Sequence, residues 1–462
     1  MKIAILDVYP VRKARTSKDT NGGFGSVNDY GPGLVGRFLT WLKSQSSNWP
    51  ALYSVYSAAV LRENGHEVEF IKTEIDKLDP SRLSGFEFVL LTTSIVAHET
   101  ELNAIKLLKP QIPVGVMGSF ATSVPMPYVN AGAFVIEGEP EIYFLHQPEL
   151  ESLKSATGII RLPAERKSYG LERQDGLNID LELEKLPFPA WDIVLKEFKP
   201  NYKLVGGNEV FFPIFATRGC PYSCSYYCVY PLQQGKTIRL RSPKKIVEEM
   251  TYLQERFGAS LFLFRDPVFS LNRKHTVQFC EEVIRTGRKF KFIIETHLKN
   301  MDSELSQMLK RAGLVMVKVG IESADKESMK SVKRFTIEKD EQIERIRTLE
   351  RLGVKVTCFY IFGLSEDDEA QCESTIEYAK MINSYGAQFA VFTPYPGTPV
   401  YKEYEDQLIT RRFEDFTEFQ LVFKHNILSL NRLQTIFAGA YRKYYTNPKW
   451  ALKFMRAYLS NH

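Results

Sequence analysis

No apolar run in this chain approaches the ~20 residues needed to cross a bilayer, which argues against a membrane-spanning helix. The first stretch, Met1 to Tyr9, meets Asp7 too soon to read as an export signal, so the expected location is the cytoplasm. Charge of one sign is also lacking. Sixty basic against 55 acidic residues leave a net +5, too little to argue for a nucleic-acid binder. Cysteine is scarce, with six in 462 residues. Cys280, Cys358 and Cys372 lie singly, so no disulfide framework is expected. No G-x-G-x-x-G follows the first apolar run, which weighs against a dinucleotide site. The remainder is ordinary for a globular protein of two or three domains, at 44% hydrophobic and 25% charged.

The other three cysteines, Cys220, Cys224 and Cys228, fall in T-R-G-C-P-Y-S-C-S-Y-Y-C-V-Y, Thr217 to Tyr230. Three thiolates this close repel one another unless a metal takes up their charge, and soft thiolates select zinc or iron–sulfur clusters. A structural zinc site wants four ligands, and no histidine lies within forty residues downstream. Three cysteines suit a cubane cluster with one iron left open. An open iron can chelate a molecule that brings its own amine and carboxylate. Reduced cysteines packed at a helix start are the plain alternative.

Along the chain, short apolar runs alternate with helical patterns. In the first 150 residues strands are expected at Ile3–Val8, Val68–Ile71, Phe86–Thr93, Val114–Met117 and Phe134–Ile136. Helices are expected at Leu52–Glu63, with Gly65 as its cap, and at Glu101–Leu108. This alternation implies an α/β fold with a parallel, doubly wound sheet whose ligands bind beyond the carboxyl ends of the strands. Those ends carry Asp7 to Pro10, Thr92 to Ser94, Gly118 to Phe120 and Glu137 to Glu139. Between them, residues 11 to 50 are rich in glycine and carry Trp41 and Trp49. They read as a long loop tethered above the carboxyl edge.

From Val210 a second strand–helix repeat begins. Strands are expected at Val210–Ala216, Leu261–Phe264, Phe292–Glu295, Val315–Ile321, Val356–Phe362 and Phe389–Phe392, with helices between. Six βα units are too few for a closed eight-stranded barrel. From Leu430 the chain is basic and aromatic and has no Asp or Glu. Arg432, Arg442, Lys443, Lys449, Lys453 and Arg456 are interspersed with Tyr441, Tyr444, Tyr445, Trp450, Phe454 and Tyr458. A cap packed on the second unit with a solvated basic face is expected. Contact with a membrane surface or a polyanion is the alternative.

The cysteine stretch resembles the cluster loop of the radical S-adenosylmethionine (SAM) superfamily, usually C-x3-C-x2-C. The spacing here is C-x3-C-x3-C, one residue longer at the pair Tyr226-Tyr227. The turns of the first unit resemble the N-terminal cobalamin-binding domain of one subfamily. Thr92 to Ser94, Gly118 to Thr122 and Glu137-Gly138-Glu139-Pro140-Glu141 are the counterparts, and Leu186 to Asp192 resembles the connection that follows. The resemblance implies a cobalamin-binding domain over residues 1–150 and a linker over 151–205. It further implies a partial (β/α)6 radical SAM barrel over 206–406 and a helical region over 407–462.

It also implies a [4Fe-4S] cluster on Cys220, Cys224 and Cys228, with SAM on the open iron. Cobalamin would lie at Thr92, Ser94, Gly118, Ser119, Thr122, Gly138 and Glu139. No D-x-H-x-x-G loop offers cobalt a histidine, and His98 stands alone. Around SAM the resemblance implies Asp266 near the methionine amine, Glu295 at the end of the third strand, and Glu322 and Ser323 near the ribose. A carboxylate can accept both ribose hydroxyls. Arg239 and Arg241 are candidates for the SAM carboxylate or a substrate anion, with plain surface charges as the equal alternative.

The implied activity is reductive cleavage of SAM, with an electron from an external donor such as flavodoxin or ferredoxin. Methylation of an unactivated carbon on a small-molecule or lipid substrate follows from it, with no nucleic-acid partner. The same cofactors used for oxidation, cyclisation or adenosyl transfer form the first alternative. A cluster-free scaffold is the reading if the longer spacing forbids the cluster. A tRNA methylthiotransferase fits less well, because a second three-cysteine set is missing.

Overall fold

The computed structural model describes residues 1–11, 16–31, 33–44, 49–162, 170–198, 200–202 and 209–459. Pro32 of the expected loop, residues 163–169 and 203–208 of the expected linker, and the Tyr458 side chain lie outside the described part. No helix among the described residues is long and apolar enough to cross a membrane.

The first unit is a six-stranded sheet. Its strands are β1 (Lys2–Tyr9), β2 (Glu67–Glu74), β3 (Phe88–Thr92), β4 (Val114–Met117), β5 (Phe134–Ile136) and β6 (Ile159–Ile160). They pair in the order β2-β1-β3-β4-β5-β6, and all are parallel. A parallel sheet covered on both faces needs unbroken apolar strands, and all five residues of β3 are buried. Helix Leu52–Glu63 is buried from Leu52 through Leu61, more than one face of a helix can account for. Its second face meets the barrel, where Tyr56 Oη lies 3.2 and 3.3 Å from the Glu249 carboxylate. The strand order reverses between β1 and β3, and there the crevice of a doubly wound sheet opens.

The second unit is a half-barrel. Strands β7 (Glu209–Ile214), β8 (Leu261–Phe264), β9 (Phe292–Thr296), β10 (Leu314–Glu322), β11 (Lys355–Phe362) and β12 (Gly386–Val391) run parallel in sequence order. Asn201–Tyr202 adds an antiparallel edge to β7, and among the described residues β12 pairs with no strand but β11, so the barrel stays open. Alternate residues of β10 to β12 are buried against helices. The set between them, including Lys318, Gly320, Phe359, Ile361, Gln388 and Ala390, is only half-buried. That set faces the lumen.

The free edge of β12 is closed by tyrosines. Tyr441 Oη accepts from Phe389 N (3.0 Å) and donates to Phe389 O (2.8 Å), and Tyr445 Oη does the same at Ala387 (3.0 and 2.7 Å). Four residues of helix rise about 6 Å and two residues of strand about 6.6 Å. Tyrosines at i and i+4 on helix Leu430–Tyr445 therefore match edge groups at i and i+2 on the strand. Three basic residues of this cap pair with barrel acids, Lys443 with Glu373, Arg432 with Glu369 and Lys453 with Glu350.

Two expectations change. Residues 11–50 contain a helix, Leu34–Ser44, and a short strand pair, Thr16–Ser17 with Ser26–Val27. The helix escapes an apolar-inward pattern because Leu34, Phe38 and Trp41 point outward, at 87%, 57% and 56% exposure. Residues 151–205, read as a linker, supply β6 and the hairpin Leu171–Gln174 with Leu177–Asp180.

Candidate functional site

The cysteine loop follows β7 at the carboxyl mouth of the half-barrel. Gly219 enters it with φ of 83°, and a Cβ there would lie 2.1 Å from Thr237 O, so only glycine fits. Cys220 N–H donates to Gly235 O at 3.2 Å. A 3-10 turn over Ser223–Tyr226 follows, and Cys228 N–H donates to Cys224 O at 2.9 Å. That i to i+4 bond spans the longer spacing and returns the third cysteine to the side of the second. The tyrosine pair splits. Tyr226 turns outward to Glu403, under the Lys333 ammonium, and Tyr227 turns inward against Phe392.

None of the three cysteines is in a disulfide, and Cys220 and Cys224 are 6% and 7% exposed. Burial, and after it the neighbouring sulfurs, push the Cys220 and Cys228 thiols up. Arg334 Nη1 lies 3.8 Å from Cys224 Sγ, and its Nη2 reaches Gly320 O (3.2 Å) and Glu322 (3.1 Å). Among the described residues no three His, Cys, Asp or Glu side chains gather closely enough for a single metal ion. A cubane asks for a different arrangement, because its thiolates sit on separate irons. Three unbridged cysteines in one loop beside an arginine fit that donor set.

The strand ends hold the other expected residues. Glu322 ends β10 with φ of 66°. Burial raises its carboxyl against the opposing pull of Arg334. Ser323 Oγ caps the next turn at Asp325 N (3.0 Å). Glu295 is bracketed by Lys318 (3.1 Å) and Arg265 (3.7 Å). Burial would raise it, but these two cations hold it below the usual range. Asp266 is fully buried and pushed up to about 6 by burial. Its oxygens accept the amides of Ala216 and Thr217. It therefore positions the entry to the cysteine loop and does not face the lumen.

The carboxyl edge of the first sheet faces the cysteine loop across one crevice. Thr92 Oγ1 bonds Asp7 (2.9 Å), and Ser94 bonds Glu101 through N (2.9 Å) and Oγ (3.3 Å). Ser119 Oγ lies 2.6 Å from Gly22 O and 2.7 Å from Gln233 Oε1. Gly118 has φ of 130°. Thr122 Oγ1 accepts from Gly138 N at 3.0 Å, and the Cα of Gly138 opens onto free space. Glu139 is taken up by Arg218 and Arg239, both at 2.5 Å, and Glu141 by Arg218 at 2.6 Å. Burial would raise Glu139, but Arg239 and Arg218 hold it below the usual range, whereas burial prevails at Glu141 and raises it.

Arg239 and Arg241, read as either anion ligands or surface charges, are instead interior. Arg241 pairs with Glu249 (2.6 Å) and donates to Phe215 O (2.6 Å). Charged residues are read as exposed by default, and here they fasten the loop. His98 is packed among Phe120, Tyr128 and Phe413. Burial lowers its pKa to about 4.

Several residues of the site carry no mark in the sequence. Lys18 is wholly buried at the switch point, between Glu101 (2.9 Å) and Asp7 (3.4 Å). Asp19 pairs with Arg265 at 2.9 Å. Arg218 was the one open to notice, two residues before Cys220.

Residues 214–379 match the radical SAM superfamily. The chain is 24% identical to an uncharacterized methyltransferase of Pyrococcus horikoshii, over 87% of this chain and 89% of that one. It is 29% identical to the anaerobic magnesium-protoporphyrin IX monomethyl ester cyclase of Cereibacter sphaeroides, over 87% of this chain and 68% of the relative. Among solved structures, it is similar to the radical S-adenosylmethionine methyltransferase TsrM from Kitasatospora setae, determined with cobalamin and a [4Fe-4S] cluster bound. The TM-score is 0.61 at 15% identity, over 88% of this chain and 78% of that one. At that identity the likeness is one of fold, a doubly wound domain ahead of an open barrel.

Proposed function

We propose that this radical SAM enzyme holds a [4Fe-4S] cluster on Cys220, Cys224 and Cys228 and binds SAM in the half-open lumen. In this reading it also carries cobalamin in the crevice and methylates a small molecule. The observation that carries the reading is the loop itself: one turn brings three unbridged cysteines to the barrel mouth, with Arg334 donating toward Cys224. When bound, the cluster supplies an electron to SAM, and the corrin supplies a methyl carrier.

The protein's share is holding and positioning. Arg334 offsets thiolate charge and links it to Glu322. Glu322 and Ser323 stand at the end of β10 for the ribose of SAM, and Glu295 stands across the lumen. Asp266, Arg218 and Arg239 hold the loop, and the cap on β12 keeps the open edge from pairing elsewhere. For the corrin, Ser94, Gly118, Ser119, Thr122 and Gly138 line the face, with residues 1–150 as the binding part and 206–406 as the catalytic core. Ser119 now meets Gly22 and Gln233 directly, so a macrocycle enters only as Gly22 and Gly23 draw back.

The electron comes from an external donor such as flavodoxin or ferredoxin, in the cytoplasm. Cyclisation with the same cofactors is the second reading, supported by the likeness to the cyclase. The test is anaerobic purification with iron, sulfide and corrin quantified, followed by turnover with methyl-labelled SAM. About four irons and about one corrin per chain are expected, with label in the product. Label confined to SAM and its methionine product favours cyclisation. Iron without corrin removes the cobalamin part.

A further inference from the structure

Helix Leu34–Ser44 turns its bulkiest apolar side chains to solvent. The face toward the protein carries Gly36 and Thr40, both buried, and the half-buried Leu39. Thr40 Oγ1 accepts from Tyr30 N at 3.2 Å, and a Cβ on Gly36 would lie 2.2 Å from Tyr30 O. The opposite face carries Leu34, Arg37, Phe38 and Trp41, all exposed. They stand at i, i+3, i+4 and i+7, which is one stripe of a helix. The Phe38 and Trp41 rings lie 5.9 Å apart at 31°, so they form one aromatic surface. Single exposed apolar residues need no explanation, but a contiguous stripe marks an interaction surface.

The stripe is held at a defined place. Tyr30, just before the helix, is edge-on to Phe419 at 5.5 Å and to Tyr441 at 5.0 Å. A Cβ on Gly31 would lie 3.2 Å from the Cβ of Ala438. Tyr441 is also a residue that closes β12, so the helix is fastened beside the open edge of the half-barrel.

Charge decides what covers it. No Asp or Glu occurs between Tyr30 and Arg62, while Arg37 lies within the stripe and Lys43 follows in the same helix. Arg442, also exposed, is one turn beyond Ala438 on helix Leu430–Tyr445. The nearest acid in sequence, Asp29, accepts the Gly31 amide at 3.1 Å. A second copy of the chain fits badly, because a twofold contact sets the same patch against itself. Arg37 would meet its own counterpart with no acid on the helix to answer it. The helix is also only 11 residues long. It rises about 16 Å, and one face of that length falls well short of the ~800 Å² per partner of a stable interface.

Leucine, phenylalanine and tryptophan beside arginine, without acid, make up helices that lie in the headgroup layer. The long arginine stem lets the guanidinium reach phosphates while the rings stay in the acyl boundary. We propose that helix Leu34–Ser44 seats this protein on an anionic lipid surface, with Leu34, Phe38 and Trp41 in the acyl boundary and Arg37 at the headgroups. The open side of the half-barrel is thereby brought to the membrane. This does not depend on the reading of the cysteine loop, and protein without iron is expected to bind equally.

The test is co-sedimentation of the full chain with vesicles of phosphatidylcholine, alone and with about one quarter phosphatidylglycerol. The mixed vesicles are expected to bind roughly tenfold more strongly, and about 1 M salt should remove most of that preference. Phe38→Ser with Trp41→Ser should weaken binding to both vesicles roughly tenfold or more. Arg37→Gln should lower affinity for the mixed vesicles about fivefold and leave the neutral ones unchanged. These side chains point outward, so the variants should keep the circular dichroism of the unmodified protein. If the double variant does not, Leu34→Ser and Arg37→Gln carry the comparison.

Absence of binding to the mixed vesicles would overturn the proposal, and so would unchanged binding by a folded Phe38→Ser, Trp41→Ser variant. The last helix, Pro448–Leu459, also exposes Leu452 and Met455. Loss of binding in Leu452→Ser with Met455→Ser, and not in the first pair, would move the contact there and equally overturn it. Light scattering addresses the second copy: a dimer that Phe38→Ser with Trp41→Ser splits would mean that another chain covers the stripe, and the lipid assignment would fall.

Discussion

Two glutamates two positions apart should respond in opposite ways to neutralisation. Glu139 and Glu141 both meet Arg218, and Glu139 also holds Arg239. All four side chains are almost fully buried, at 1% to 7% exposure. Removing one partner of a buried pair costs about 3–5 kcal/mol, because the other charge is left behind. In Glu139→Gln the amide oxygen keeps one hydrogen bond and Glu141 still serves Arg218, so about 3 kcal/mol is the working figure. That is roughly a hundredfold in a local opening equilibrium. Native-state hydrogen exchange at the amides from Thr217 to Cys228 reads it directly.

Glu141 is the internal control. Burial raises its carboxyl, so its ionised form is disfavoured by folding. Glu141→Gln at neutral pH should then change exchange little, or slow it.

The signs with pH follow. Glu139 is held below its ordinary value. Its contribution is complete above the unfolded carboxylate value of about 4.3 and is lost as pH falls through the lowered folded value. Glu139→Gln should lose that acid-side dependence. Glu141 acts in the other direction, its charge costing stability as pH rises through its raised folded value. Equal exchange in Glu139→Gln and the unmodified protein, or a larger effect from Glu141→Gln, would refute the view that Glu139 fastens the loop.

Cys228→Ala should lose most of its bound iron and the brown absorbance of the reconstituted protein. Unchanged iron would mean that another group is the third ligand. Arg334→Gln removes a positive charge and a donor beside Cys224, so the cluster should be harder to reduce. A midpoint lower by roughly 40 mV corresponds to about 1 kcal/mol at one electron, and redox titration followed by EPR checks it. Tyr441→Phe leaves the N–H and C=O of Phe389 without partners on a buried edge. It should cost about 2 kcal/mol, read as a lower urea midpoint for the barrel, with Tyr445→Phe similar and the double variant worse than either.

Much of the architecture was legible because its strands are apolar runs bounded by glycine or polar turns. Leu52–Glu63, Val114–Met117, Phe134–Ile136 and Leu261–Phe264 fall where the pattern places them. The cysteine loop was legible for the same local reason, since three sulfurs in one turn have few other uses. What was hidden depends on long-range pairing. Glu139 and Arg218 are 79 residues apart, and no local rule joins them, so Glu139 read as a ligand residue, and Arg239 and Arg241 as ligands or surface charges, when all three are buried in ion pairs. The outward apolar face of Leu34–Ser44 reversed the usual pattern and hid a helix.

The most direct measurement is EPR of the reduced, reconstituted protein before and after SAM is added, with nucleoside products analysed from the same tube. A [4Fe-4S]+ signal that shifts on SAM addition, together with 5′-deoxyadenosine or S-adenosylhomocysteine, is the expected result, and both should vanish when Cys220, Cys224 and Cys228 are all alanine. A fully folded protein that binds no iron, or a cluster signal that SAM leaves unchanged, would contradict it.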